Sequence, residues 1–395
     1  MSHDITTKDG YMFVLPWEIN KPGGVNQVVK SLITEIDLQG DYKSHLLISC
    51  WRNKNLAYSF EDHTTVYRKR LRELGENLMS FKLLLLFFAH LPIEIYKLYR
   101  LIKRNNIKVI NAHFPELNLL TFAFIKFLFK GKFKFILSFH GSDVEAINKQ
   151  STFSKYQWRF IIGAADRVIV CSHDLAGKLH NTLHFSCNKI QVIHNGINIK
   201  EIYQKLSLGV SVHTNNKPFI ISIGTLDKNK GHDEILEAFS KLPQNLQSEI
   251  SLVLIGRDTP YSIELEKKIE SLNLNKSVFV YKNVPHQDTL KTLSLAEFLI
   301  LASNNEGYPL VLLEAALIKK AIIATKTGGI PELINDGESG YLIDKNDINI
   351  LKNAIYKLVK NKNNIREKYS NNLFKKVNEQ SWSFAYDAYL KSIES

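Results

Sequence analysis

The chain has 395 residues, enough for two or three domains with cores of their own, and its 45% apolar and 23% charged residues exclude a disordered or fibrous protein. Three cysteines (Cys50, Cys171 and Cys187) without C-x-x-C spacing exclude a disulfide framework and a structural zinc site, and point to a reducing compartment. The net charge of +12 is unevenly placed: residues 1–205 hold 28 Lys and Arg against 17 Asp and Glu, the remainder 23 against 22. Such asymmetry points to an acidic partner for the first half: nucleic acid, an anionic membrane or a phosphorylated substrate.

In chain order, the opening MSHDITTKDG is polar with acidic members, so no signal peptide is expected. The longest apolar stretch without an acidic or basic residue, 83–93, would be about 16 Å long as a helix against a hydrocarbon core of roughly 30 Å. The expectation is therefore a cytoplasmic protein. Apolar, β-branched or aromatic runs predict strands at 11–15, 45–49, 109–111, 134–139, 168–171 and 190–193, then at 219–223, 251–255, 278–281, 298–301 and 321–324. Longer amphipathic segments separate them. This alternation predicts an α/β protein with two doubly wound parallel-sheet domains, joined by a linker at 198–217. Ligands in such folds bind beyond the carboxyl ends of the strands, so the residues just after each strand carry the chemistry.

After the first strand, Gly23 and Gly24 lie in a loop that opens a helix, where free N–H groups can face an anion. After 134–139 comes HGSD, with His140 placed to orient a hydroxyl or stabilise developing charge, or merely to bond its own loop. The strand 219–223 leads through Gly224 to Lys230, a point charge suited to a diphosphate, although the P-loop spacing is absent. The fullest pattern is FLILASNNEGYPLVLLEAALI. A buried strand is followed by Glu306 and Gly307, then a helix started by Pro309, with Glu314 in its second turn. Its first-turn amides suit phosphate oxygens. Glu314, in almost wholly apolar surroundings, needs a partner and could accept from a diol such as a ribose. Glu306, before the helix, is expected to be free to point at the cleft mouth.

Together these stretches resemble the GT-B glycosyltransferases, specifically family 4 of retaining, nucleotide-sugar-dependent enzymes. The likeness runs from the GGV loop through HGSD, ADRVIVCSHDL, IHNGIN, EGYPLVLLEA, TGGIPELI and GESGYLI to the tail SWSFAYDAYLKSI. The Glu306–Glu314 pair is its most specific element. The resemblance implies two facing Rossmann-like domains: an acceptor-side domain over 1–205 and a donor domain over 206–375. A final helical segment, 376–395, would pack back toward the N-terminal domain. It assigns Glu314 to the ribose, Lys230 to the diphosphate and the amides around Leu310 and Val311 to the phosphates. His140 and Glu306 would contact the transferred sugar, with Gly23 and Gly24 approaching the diphosphate. Gly307 and Thr225 belong to the same donor-binding set. No D-x-D motif occurs, in keeping with a metal-independent enzyme whose only small-molecule requirement is its UDP- or GDP-sugar co-substrate. Two departures stand out: Thr225 where many members have arginine, and HNGIN where PNGVD is usual. With Thr225 the diphosphate loses a bidentate partner, leaving Lys230, helped by Lys228.

Two N-terminal stretches combine apolar bulk with cations: 78–106, and 119–135 with Lys126, Lys130, Lys132 and Lys134. Interfacial helices of this kind dock on anionic lipid; the plainer reading is that they cover the sheet. The expected acceptor is a saccharide, specifically a lipid-linked glycan at the inner leaflet, as in assembly of lipopolysaccharide, capsule or O-antigen. The protein would then be peripheral on the cytoplasmic membrane. Alternatives are a nucleotide-sugar 2-epimerase and a non-catalytic nucleotide-sugar-binding subunit. No nucleic-acid partner is expected, because no recognised nucleic-acid-binding motif accompanies the charge.

Overall fold

The computed structural model describes residues 8–21, 23–49, 56–61, 63–74, 81–130, 132–185, 187–213, 217–361 and 364–394. Cys50, the side chain of Cys187, the first seven residues and 214–216 of the expected linker lie outside the described residues. Cys171 is buried.

Contacts divide the chain into two units, 1–194 with 382–395, and 195–381. In the first, β1 (Gly10–Leu15), β2 (Lys43–Ile48), β3 (Ala57–Glu61), β4 (Thr64–Arg68), β5 (Ile107–His113), β6 (Lys134–Phe139), β7 (Arg167–Val170) and β8 (Ile190–Val192) form one sheet. Its order is β3-β4-β2-β1-β5-β6-β7-β8. Every pairing is parallel except β3 with β4. β1 and β6 are almost wholly buried runs, as strands covered on both faces by helices must be.

In the second unit, β9 (Phe219–Ile223), β10 (Ser251–Gly256), β11 (Val278–Lys282), β12 (Phe298–Leu301), β13 (Ala321–Thr325) and β14 (Tyr341–Ile343) make a parallel sheet. Its order is β11-β10-β9-β12-β13-β14. This is the doubly wound order 3-2-1-4-5-6, and its core packs helices such as His232–Ser240 and Ile348–Lys360 against the sheet. Strand order reverses between β1 and β5 in the first sheet and between β9 and β12 in the second. Those two switch points are where this architecture opens crevices.

The predicted strands recur at every expected place, β6, β9 and β12 to the residue. The hairpin β3–β4 and the short β14 were not anticipated. β3 is largely exposed and turns into β4 at His63, whose φ of 66° sits in the left-handed region without a glycine to signal it. The boundary expected after residue 205 falls inside helix Ile199–Leu208, which packs on helix His286–Leu295 of the second unit. The last helix, Trp382–Glu394, packs on helix Gly24–Gln39 in the first unit, where Gln39 Nε2 donates to Asp387 at 3.4 Å. Among the described residues, no helix is long and apolar enough to cross a membrane.

Candidate active site

At the switch point of the second unit, the loops after β9 and β12 lock together through their backbones. Asn304 N donates to Asn229 O at 2.7 Å, and Asn229 Nδ2 donates to Asn305 O at 3.0 Å. Gly231 has φ 67°, and a Cβ there would lie 2.0 Å from Ala302 O, so only glycine permits this approach. Gly328, φ 56°, is bound by the same argument, its Cβ falling 1.8 Å from Glu306 O. Asn195, of the HNGIN stretch, donates from Nδ2 to Tyr308 O at 2.8 Å and holds the EGYP turn from another side.

This frame fixes the side chains. The aliphatic stem of Lys230 runs across Gly224, where a Cβ would lie 3.2 Å from it, and Lys230 Nζ reaches Glu306 Oε1 at 2.6 Å. Glu306 is buried and bears this salt bridge, so its carboxylate is not free as expected. Lys228 is exposed and pairs with Glu264 at 3.1 Å. Thr225 lies half-buried in the same loop, its carbonyl accepting from Asp227 N at 2.8 Å. Gly307 is buried beside Glu306, its carbonyl accepting from Gly329 N at 2.7 Å.

Pro309 caps helix Leu310–Leu317 as its N-cap, one position earlier than expected. Among the described residues, the amides of Leu310 and Val311 meet no acceptor, as the first-turn groups of a helix must unless a cap or ligand supplies one. Leu312, Leu313, Ala315 and Ala316 are buried, whereas Glu314 stands on the helix's remaining, half-buried face. Its expected partner is His286, whose Nε2 lies 2.8 Å from Glu314 Oε1. Lys205 Nζ donates to His286 Nδ1 at 3.2 Å. That bond makes Nδ1 the acceptor, so Nε2 carries the hydrogen given to Glu314. His286 starts the helix after β11, and nothing in the sequence near Glu314 marks it.

At the switch point of the first unit, His113 ends β5 and His140 follows β6. Their rings meet, His113 Nδ1 lying 3.0 Å from His140 Nε2. Burial pushes His140 down to about 4 and, together with the neighbouring ring, drives His113 well below its ordinary value. Both imidazoles are therefore neutral near neutral pH, one donating to the other. The loop-bonding role weighed for His140 belongs instead to Asp143, which accepts from the amides of His140, Gly141 and Val144 at 2.7–3.1 Å. Burial still pushes Asp143 up to about 6. Beneath the pair, Ser138 Oγ donates to Asn111 Oδ1 at 2.8 Å and Asn111 Nδ2 to Tyr11 at 2.9 Å. Gly23 and Gly24 open helix Gly24–Gln39, and a Cβ on either would meet no atom of the described residues within 4 Å. Asn26 ties the preceding loop down, accepting from Trp17 at 2.8 Å and donating to Lys21 O at 2.7 Å.

The structure thus places Thr225 and Lys230 in the loop after β9, and Glu306, Gly307, Leu310, Val311 and Glu314 in the loop and helix after β12, the two loops meeting at the switch point of the second unit. It sets Gly23, Gly24 and His140 at the carboxyl ends of the first sheet. Sequence reasoning missed His286, His113 and Asn195, whose partners are distant in sequence, and Asn26, whose partners lie in the loop just before it. Among the described residues, no group of His, Cys, Asp and Glu is arranged to hold a metal ion.

Comparison with known families settles the class of protein this frame belongs to. The model described as Glycosyltransferase Family 4 matches residues 22–201, and that described as Glycosyl transferases group 1 matches 206–376. The chain belongs to this glycosyltransferase family. It is 30% identical over 304 residues to an uncharacterized glycosyltransferase of Methanocaldococcus jannaschii, covering 73% of this chain and 75% of that one. It is also 24% identical over 357 residues to a Campylobacter jejuni enzyme, covering 88% and 90% of the two chains. That enzyme is N-acetylgalactosamine-N,N'-diacetylbacillosaminyl-diphospho-undecaprenol 4-alpha-N-acetylgalactosaminyltransferase. Among solved structures, Anabaena HepE in complex with UDP superposes with a TM-score of 0.73 at 16% identity, over 98% of this chain and 99% of that one. The fold of this glycosyltransferase is therefore GT-B, and the protein is an enzyme.

Proposed function

We propose that this glycosyltransferase moves a hexose or related sugar from a UDP- or GDP-sugar to a saccharide acceptor with retention of configuration. The observation that carries the reading is the crevice of the second unit. A cation (Lys230) follows β9, and unpaired helix amides (Leu310, Val311) and a carboxylate (Glu314) follow β12 at the same switch point, the group types that suit a nucleoside diphosphate. Glu314 keeps an oxygen for the ribose hydroxyls while His286 holds the other. In the reaction, the bond from the sugar's anomeric carbon to the diphosphate oxygen breaks and a bond to the acceptor oxygen forms on the same face. The acceptor's proton passes to the departing phosphate. Negative charge grows on that phosphate, where Lys230 and the helix amides stabilise it. Glu306 positions the sugar, and the resemblance gives His140 a sugar-contacting role, so catalysis rests on orientation and charge stabilisation, without a side-chain nucleophile or a metal ion.

The acceptor is proposed to be a lipid-linked glycan of bacterial surface polysaccharide synthesis, such as lipopolysaccharide, met at the inner face of the cytoplasmic membrane. The Campylobacter jejuni relative, whose name includes a diphospho-undecaprenol-linked saccharide, supports this reading. So does the charge excess of the first half. The test is calorimetric titration with UDP, GDP, CDP and ADP, first without metal and then with magnesium, followed by NMR of the product's anomeric centre. Selective binding of UDP or GDP without metal, then a product with the donor's configuration, is expected. Failure of every nucleotide, or an inverted product, overturns the proposal.

A further inference from the structure

The two apolar and basic stretches of the first unit meet in the fold. Tyr99, on helix Phe81–Arg104, stacks on Phe129, just past helix Leu120–Leu128, with ring centroids 3.8 Å apart and planes 12° from parallel. Next to this contact an open groove of about 1040 Å³ runs along the amino edge of the sheet. Asp9, Lys108, Lys134, Asp166 and Lys189 line it, each at or just before the start of β1, β5, β6, β7 and β8 respectively. The groove is therefore at the end of the strands opposite His140, and β6 alone separates the two by about 20 Å.

Its charge is lopsided. Seven Lys and Arg side chains line it against two Asp, and the acids are already engaged. Asp166 binds Lys126 at 2.7 Å and the amide of Phe135 at 2.7 Å, while Asp9 accepts from Asn106 at 2.6 Å. Lys189 is spent on the carbonyls of Gly163 and Ala165 at 2.7 and 2.8 Å. Among the described residues, Lys108, Lys130, Lys132 and Lys134 bear no salt bridge, and the first three are exposed. A solvated lysine face would need no apolar company. Here Phe127 and Leu128 stand 59% and 58% exposed beside the cations, and Lys130 Nζ lies over the Phe127 ring, 5.5 Å from its centre. Helix Phe81–Arg104 buries Phe87, Leu91 and Leu98 yet leaves Leu85, Phe88, Ile93 and Tyr96 exposed on its other side. Cations that accept phosphate, mixed with aromatic and aliphatic groups left in water, match a bilayer interface and not a soluble polyanion.

We propose that this groove is the seat of the enzyme on an anionic phospholipid surface, its free lysines taking lipid phosphates and Phe127 and Leu128 entering the interfacial layer. The inference rests on the reading that the acceptor is lipid-linked. It adds where the first unit touches the bilayer: at the amino edge of its sheet, the end of the strands opposite His140. The membrane would then lie about one strand length from His140, a separation that a glycan of several sugars spans.

The test is flotation of the full chain with phosphatidylcholine vesicles, with and without phosphatidylglycerol, at low and high salt. Wild type should float only with phosphatidylglycerol and lose binding as salt rises. Lys108→Glu, Lys130→Glu and Lys132→Glu combined should weaken binding at least about 100-fold, at roughly 1 kcal/mol per basic residue near the surface. Phe127→Ser with Leu128→Ser should weaken it while leaving the charge untouched. If the triple variant loses its cooperative thermal unfolding, the corresponding Gln variants replace it. Wild-type binding that survives all these changes overturns the groove. Absence of wild-type binding at low salt also overturns it. The lipid-linked acceptor reading is decided separately, by sugar transfer to a lipid diphosphate saccharide in detergent, where no bilayer is present.

Discussion

Lys230 donates to Glu306 across the switch point of the second unit at 2.6 Å, with side chains only 21% and 10% exposed. Without a ligand, each charge neutralises the other. A diphosphate arriving at the crevice offers Lys230 a second anion, so Glu306 competes for the cation that the donor needs. Glu306→Gln should therefore hold or tighten nucleoside diphosphate affinity while lowering turnover, because the carboxylate proposed to face the sugar is gone. Lys230→Ala should lose affinity and also cost about 1–3 kcal/mol of stability, since Glu306 remains buried without its partner. Titration calorimetry and urea unfolding on both variants check this; weaker binding by Glu306→Gln would show that the pair acts as one unit.

His286 gives Glu314 the partner its apolar surroundings demand, and the two should be coupled in binding. Glu314→Ala should weaken nucleotide affinity by about 1.5–3 kcal/mol, the worth of hydrogen bonds to a charged group. His286→Ala should cost less, because it removes only the support of a carboxylate that can still reach the ribose. The double variant should show a coupling of roughly 0.5 kcal/mol or more between the two. Strict additivity in calorimetric titration would mean that His286 does not orient Glu314.

The neutral His113–His140 pair makes a prediction for the reaction. His140→Ala should lower turnover more than nucleotide affinity, since a group that meets the sugar contributes mainly in the transition state. His113→Phe should keep packing but release the ring of His140, lowering turnover by a smaller factor. With His140 pushed down to about 4, its titration should not appear in the rate profile above about pH 5. A rate that rises with a single His-like ionisation near pH 6.5 in the wild type, lost in His140→Ala, would contradict this.

Buried parallel strands were legible because they read as nearly continuous apolar runs between turn signals; 134–139, 219–223 and 298–301 are such cases. The crevice residues were legible because switch-point chemistry follows strand ends in sequence, as Lys230 and Glu306 do. What stayed hidden was set by tertiary approach. His286 lies 28 residues from Glu314 and His113 lies 27 from His140, joined only when adjacent elements close. The salt bridge of Glu306 was hidden for the same reason, its partner Lys230 being 76 residues away. The strand Ala57–Glu61 escaped because it is a short edge strand whose alternating aromatics, Tyr58 and Phe60, stay exposed and join no core.

The buried imidazoles also set how stability responds to acid. His45, His140 and His232 are pushed down to about 4, and His113 well below its ordinary value, by burial in each case first. The unfolded chain takes up protons at these sites near 6.5 and the folded chain only near 4, so their contribution is full above about pH 6.5 and is lost as the pH falls toward 4. Asp143, raised to about 6, and Glu116, raised to about 7, act in the opposite sense: the folded chain binds their protons first and gains stability as the pH drops. These four imidazoles, joined by His213, which burial also lowers, outweigh the two carboxyls and the raised Glu35, so the urea midpoint should fall between about pH 7 and about pH 4.5. His232 is the sharpest single case, because both its ring nitrogens are buried without a hydrogen-bonding side chain. Replacing it with Leu should flatten the acid limb by about one proton. A midpoint that rises on acidification would mean that the carboxyls, and not the imidazoles, dominate the balance.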